Sequence, residues 1–282
     1  MTWVSVVVPC YNSGATINKT VRSLESQTHK NVEIIVVDDG STDPKTINIL
    51  NGLSGVTLIR QDNQGLPSAR NAGFRVARGD YIFPLDADDW LEPDALSKLI
   101  SALEESQDAA FAFSHMRLEG EAQGTLKKNY NFFEQLFLNQ MPYCLLLRRS
   151  VWIQMGGYDE TMSRGYEDWE FNIRLGSRGY YGVVVPLPLF HYRVTSTGML
   201  LSQSNKLHRE LWREIRIKHV SLYKFLNLLK LWFKWRKKAS TYPLIGYFLW
   251  LGLELTIHPM IFDRLFRVLR KFSHSQRESG KQ

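Results

Sequence analysis

The sequence predicts an α/β fold: a mostly parallel central sheet flanked by helices, followed by a basic, amphipathic helical extension. Three observations carry this expectation. Short apolar runs alternate with helical stretches over the first 115 residues, aspartates gather where those runs end, and charge and hydrophobic pattern both change after residue 205. Residues 4–8, 32–37, 56–59 and 81–85 are β-branched or aromatic runs. Unbroken apolar runs of that length are strands buried on both faces. Residues 16–26, 44–50, 66–77 and 93–104 lie between or after them as helices, the last opened by Pro93 and Asp94, which suit a first turn. Such alternation implies parallel strands joined by right-handed crossovers. Further on, 111–114, 144–147 and 183–185 read as strands, and 166–177 reads as a helix with Tyr166, Trp169 and Ile173 on one face. The expected organisation is a nucleotide-binding half over 1–115, an acceptor half over 116–205 and an extension over 206–282.

Composition sets outer bounds. A chain of 282 residues with 44% hydrophobic and 22% charged residues is neither collagen-like nor of low complexity. Two cysteines, Cys10 and Cys144, are too few for a disulfide framework and fit a reducing compartment. The run at 4–8 is too short for a signal peptide and has no basic residues before it, so no secretory signal is expected. The net charge of +7 divides unevenly: residues 1–205 carry 18 basic against 23 acidic side chains, and 206–282 carry 17 against 5. A basic tail on an acidic body points to an anionic partner.

In a parallel sheet, ligands bind beyond the carboxyl ends of the strands. There the sequence places Pro9-Cys10-Tyr11-Asn12, Asp38-Asp39-Gly40-Ser41, Gln61-Asp62-Asn63-Gln64-Gly65 and Asp86-Ala87-Asp88-Asp89. Gathered aspartates are costly unless something cationic offsets them. Hard divalent ions take oxygen ligands, often one or two carboxylates plus substrate phosphates, so Asp86 and Asp88 are candidate metal ligands. Taken singly, each feature reads equally well as a turn or a helix cap. A dinucleotide-dependent oxidoreductase is excluded, because strand one leads into Pro9-Cys10-Tyr11-Asn12-Ser13-Gly14 rather than a Gly-x-Gly-x-x-Gly turn.

Together with Leu66-Pro67-Ser68-Ala69-Arg70-Asn71-Ala72-Gly73, these segments resemble, in order and spacing, family 2 glycosyltransferases with the A-type nucleotide-sugar-binding fold. The resemblance runs from Val4 to Arg193. It implies that the backbone at Pro9 and the ring of Tyr11 hold the base, with Asp39 accepting its hydrogen bond. It places Arg70 near the nucleotide, Asp86 on the ribose and Asp88 on a divalent metal, Mn²⁺ or Mg²⁺, at the diphosphate. Gly156-Gly157-Tyr158-Asp159-Glu160 and Glu167-Asp168-Trp169-Glu170 are similar to the family's second half, where Asp168 would be the general base. Arg193 would clamp phosphate, and His191 is a further candidate metal ligand. The implied activity is inverting transfer from a nucleoside-diphosphate sugar, a UDP-sugar first, to a glycan or lipid-linked acceptor. A polyprenyl-phosphate sugar synthase and a catalytically silent nucleotide-sugar-binding protein are the alternatives.

The tail suggests a membrane surface as partner through 221–272. On a helical wheel, 221–238 puts Leu222, Phe225, Leu226, Leu228, Leu229, Trp232, Phe233 and Trp235 on one side, with Lys230, Lys234, Lys237 and Lys238 opposite. Residues 242–262 nearly match the length of a bilayer span, but Glu254, His258 and Pro259 interrupt them. Peripheral or monotopic attachment at the cytoplasmic face is therefore expected, with a single pass through 242–262 as the alternative. Nucleic acid is not expected, since no nucleic-acid motif accompanies the charge.

Overall fold

The computed structural model describes residues 2–195, 207–236, 243–256 and 261. The chain divides into two compact units. One comprises Met1–Tyr130, Gln140–Ser163 and Glu167–Val194; the other comprises Asn131–Asn139, Arg164–Tyr166 and the described residues of Thr195–Gln282.

The first unit holds the sheet. Its opening strands, β1 (Val4–Cys10) and β2 (Val32–Asp39), are as apolar as their sequences require, and every residue of β1 is buried. Helix α1 (Gly14–Glu25) connects them. Helix α2 (Pro44–Asn51) starts where Asp43 accepts hydrogen bonds from the N–H groups of Lys45 and Thr46, and β3 (Thr57–Gln61) follows. Helix α3 (Leu66–Val76) lies so close to β1 that a Cβ on Gly73 would come within 2.4 Å of Val7 Cγ1. Next come β4 (Tyr81–Pro84), β5 (Trp90–Leu91) and α4 (Ala95–Glu105), the last two residues later than Pro93 suggests, with Asp94 at its N-cap.

The remaining elements of this unit are β6 (Phe111–Gly120), β7 (Gly124–Leu126), β8 (Leu146–Arg148), α6 (Arg149–Met155), α7 (Glu167–Ser177) and β9 (Gly182–Val194). The strand order is β3-β2-β1-β4-β8-β6-β9-β5, with β7 paired to β6. The β1–β2, β2–β3, β1–β4 and β6–β9 pairs are parallel, and β8 is inserted antiparallel between β4 and β6. The expected mostly parallel α/β sheet is present, with a mixed second half. Strand β9 is far longer than 183–185: it continues through His191 and Arg193, paired with β6 across a bulge at His115.

The second unit contains α5 (Phe132–Gln135), α8 (His208–Lys218), α9 (Phe225–Trp235) and α10 (Leu244–Thr256). Its interior is aromatic. Phe133, Phe137, Trp212 and Tyr247 pack around one another, Trp212 Nε1 and the Tyr223 hydroxyl both donate to the Leu136 carbonyl, and the Tyr247 hydroxyl donates to Glu134 at 2.7 Å. Among the described residues no helix is long and apolar enough to cross a membrane. Lys237, Lys238, His258, Pro259 and the basic residues after 262 lie outside the described residues.

Candidate active site

The ends of β1 and β2 are tied by one asparagine. Asn12, in the left-handed region at φ 52°, accepts from the backbone N–H groups of Thr42 and Asp43. That leaves Tyr11 projecting, 49% exposed, beyond a fully buried Pro9 and Cys10. Burial pushes the Cys10 thiol up to about 11, so it stays protonated and is no nucleophile. Asp39 is buried and shapes the loop after β3: its carboxylate accepts from Gln61 Nε2 at 2.8 Å and from the backbone N–H groups of Gln64 and Gly65, both at 2.9 Å. Gly40, at φ 73°, passes so close to Asn63 that a Cβ would lie 2.7 Å from its backbone nitrogen.

The turn after β4 collects the acidic groups. Asp89 is fully buried; its carboxylate accepts the Tyr143 hydroxyl at 2.6 Å and the Arg193 backbone N–H at 2.7 Å. Burial, with Asp88 and Asp86 adding to it, holds that carboxyl well above the usual range. The same Tyr143 hydroxyl accepts the Asp86 backbone N–H at 2.9 Å, so one oxygen fixes both ends of the turn. Asp88, between them, is half-buried, and burial and the charge of Asp86 push its carboxyl up to about 6. Among the described residues no basic side chain forms an ion pair with it.

Arg70 joins this turn to the start of α7. Its guanidinium is 1% exposed and donates to Asp86 at 2.7 Å and to Glu167 at 2.6 Å, with the Tyr143 ring 4.9 Å from its central carbon. Burial raises the Glu167 carboxyl and Arg70 opposes the rise. Asp168, the next residue, is half-buried in the first turn of α7, where its Oδ1 accepts the Trp169 N–H. Burial raises the phenol of the half-buried Tyr192, and the charges of Asp89, Asp86, Asp88 and Asp168 add to the rise.

The segments carrying this geometry up to residue 164 coincide with a known family. The model for "Glycosyl transferase family 2" matches residues 5–164, more than half of the chain. The chain belongs to that family. Among relatives, EpsH of Bacillus subtilis, a putative glycosyltransferase, is 38% identical over 224 residues, covering 72% of this chain and 64% of its own. Glycosyltransferase GlyA of Streptococcus pneumoniae is 32% identical over 195 residues, 63% of this chain and 27% of its own. The chain therefore spans only part of the length of these relatives. The crystal structure of S. aureus TarS 1–349 in complex with UDP-GlcNAc superposes with a TM-score of 0.62 at 18% identity, covering 81% of this chain and 69% of that one. The A-type fold expected for the family is the fold observed.

The residues singled out from sequence fall into two groups. Asp86, Asp88, Asp168 and Arg193 share one electrostatic neighbourhood: the exposed Arg193 acts on Asp88, and all three carboxylates act on Tyr192. Pro9, Tyr11 and Asp39 occupy the adjoining ends of β1 and β2. His191 is engaged elsewhere, stacked on Trp90 with its ring nitrogens on Glu92 at 2.9 Å and Glu119 at 3.1 Å. To hold an ion it would have to release a glutamate. Among the described residues no three His, Cys, Asp or Glu side chains are grouped to hold a metal. Asp88 with Asp86 nevertheless suits a hard divalent cation, since two carboxylate oxygens leave the other positions to phosphate and water.

Tyr143 and Glu167 carry no role in the sequence reading. Tyr143 lies in a stretch without periodicity, and nothing short of the fold reveals its two hydrogen bonds. The variant Tyr143→Phe leaves the Asp86 N–H without its acceptor and Asp89 with one donor fewer. A loss of roughly 1–3 kcal/mol is expected, read from urea unfolding; an unchanged midpoint would contradict the role given to this hydroxyl.

Proposed function

We propose that the chain is a metal-dependent, inverting glycosyltransferase acting in the synthesis of cell-surface or lipid-linked glycans. The donor is a nucleoside-diphosphate sugar, and the UDP-GlcNAc bound to TarS supports a UDP-sugar. The observation that carries the reading is Asp88: a carboxylate kept half-buried beside another carboxylate, in no ion pair among the described residues, at the end of a strand where such folds bind ligands. Asp88 with Asp86 would hold Mn²⁺ or Mg²⁺. A bound divalent ion would neutralise charge developing on the departing diphosphate.

Around that centre, Tyr11 and Pro9 face the base, with Asp39 as hydrogen-bond acceptor. Asp86 meets the ribose, and Arg70 acts on the nucleotide side by holding Asp86 in place. Arg193 pairs with the phosphates. Asp168 accepts the proton of the acceptor hydroxyl as its oxygen bonds to the anomeric carbon; the bond from that carbon to the diphosphate breaks on the opposite face, and the diphosphate leaves with the electron pair. One carboxylate suffices, because a nucleoside diphosphate already leaves readily. Residues 1–205 form the catalytic domain in this reading, and 206–282 draw it to the cytoplasmic face of a membrane.

A thermal-shift panel of nucleotide sugars with and without Mn²⁺ tests the core of the reading. The cognate donor at about 100-fold excess over Kd should raise the melting temperature by roughly 5 °C or more, with Mn²⁺ enhancing it. A panel that moves nothing under either condition would remove the nucleotide-sugar function.

A further inference from the structure

We propose that the outward apolar faces of α9 and α10 insert into the headgroup boundary of an anionic bilayer, with α10 lying along the surface rather than crossing it. The proposal deepens the membrane reading above and rests on it, independently of the transfer chemistry.

The sequence leaves α10 ambiguous, because its thirteen residues contain a single formally charged side chain, Glu254. The second unit resolves what that group does. Glu254 is 2% exposed and sits between two arginines of α8: Arg209 Nε lies 3.3 Å from Oε1, and Arg216 pairs with Oε2. Arg209 also donates to the Glu254 backbone carbonyl at 2.6 Å. Removing one member of such a buried group leaves an uncompensated charge, so α10 cannot part from α8 cheaply. Crossing a bilayer would require α8, with both arginines, to follow it into hydrocarbon.

With one side held this way, α10 turns Ile245, Leu249 and Leu253 outward at four-residue spacing, 67%, 60% and 39% exposed. Helix α9 buries only Leu228 and exposes Phe225, Leu226 and Phe233 at 62%, 67% and 52%. The Phe225 and Phe248 rings, 5.5 Å apart, join the two helices at these faces. Water is a poor partner for that much clustered apolar surface. Charge selects the occupant. Lys224, Lys230, Lys234 and Arg236 are exposed on or beside α9, and 206–282 as a whole is strongly basic. Apolar side chains flanked by lysine and arginine match an interface of acyl chains beneath anionic headgroups.

The test uses the full chain and flotation with vesicles of phosphatidylglycerol and phosphatidylcholine, against phosphatidylcholine alone. Wild type should float with the anionic vesicles. Phe225→Ser with Leu249→Ser, which leaves charge unchanged and alters only exposed positions, should bind ~10-fold or more weakly with an unaltered circular dichroism spectrum. Leu226→Ser gives a milder second variant. If wild type binds neither vesicle, the membrane reading itself falls. If wild type floats and the serine variants float equally well, that reading stands and the assigned face is wrong. Resistance to alkaline carbonate would establish a spanning helix, and variants that lose only self-association in lipid-free sedimentation would assign the face to a second copy of the chain; either result overturns the proposal.

Discussion

Replacing Asp88 with asparagine is expected to abolish metal-stimulated sugar transfer while leaving the fold intact. The change is isosteric and removes only the charge, at a position that forms no ion pair among the described residues and feels only the more distant charge of Arg193 from the basic side. A ligand that supplies part of an ion's first shell cannot be replaced by a neutral amide without losing most of the affinity. Stability should move the other way. The carboxyl rises from 3.8 to about 6 on folding, chiefly through burial and then through Asp86. The folded chain therefore binds more protons than the unfolded one between those values, and Asp88 lowers stability progressively as pH rises through that window. Metal-free Asp88→Asn should consequently be more stable than wild type at neutral pH by on the order of 1–3 kcal/mol, with the difference vanishing below about pH 4. Calorimetry across pH and an assay with added Mn²⁺ check the two halves. Transfer that persists in the variant, or survives chelation in wild type, would take the metal out of the reaction.

The second large effect is expected at Asp168. Asp168→Asn should lower kcat by ~100-fold or more with donor affinity almost unchanged, because a general base acts on the acceptor and not on the nucleotide. The surroundings favour this separation. Glu167, not Asp168, carries the buried bond to Arg70 and through it to Asp86. The start of α7 is thus held to the aspartate turn by a neighbour, leaving Asp168 half-exposed at the same end of the helix. Parallel loss of donor binding and turnover would instead identify Asp168 as part of the scaffold. Product stereochemistry gives an independent check, since a single carboxylate acting on the acceptor predicts inversion at the anomeric carbon.

Much of this site was legible because its parts are local. Strands β1 and β2 are built on short apolar runs, so their ends, with Tyr11 just after β1 and Asp38 and Asp39 closing β2, follow from the pattern alone. The aspartate turn follows β4 for the same reason. Strand β9 was legible only at its start. Its second half mixes buried and exposed positions and contains Pro186 and Pro188, and it is extended because β6 pairs with it, from a segment some seventy residues earlier. His191 shows the same limit: its type suggests a metal ligand, yet its partners Glu92 and Glu119 come from distant parts of the chain.

The amino-acid order by itself determined the family, the parallel core, the clustering of carboxylates at strand ends and the basic character of the tail. Each of these depends on periodicity or on short contiguous motifs, which survive without knowledge of what packs against them. Tertiary structure decided which charges are spent internally. It turned Arg70 toward Asp86 and Glu167, buried Asp89 under Tyr143, and neutralised Glu254 with Arg209 and Arg216. The physical reason is that the cost of a charge depends on its burial and its partners, and both are properties of residues brought together from remote positions.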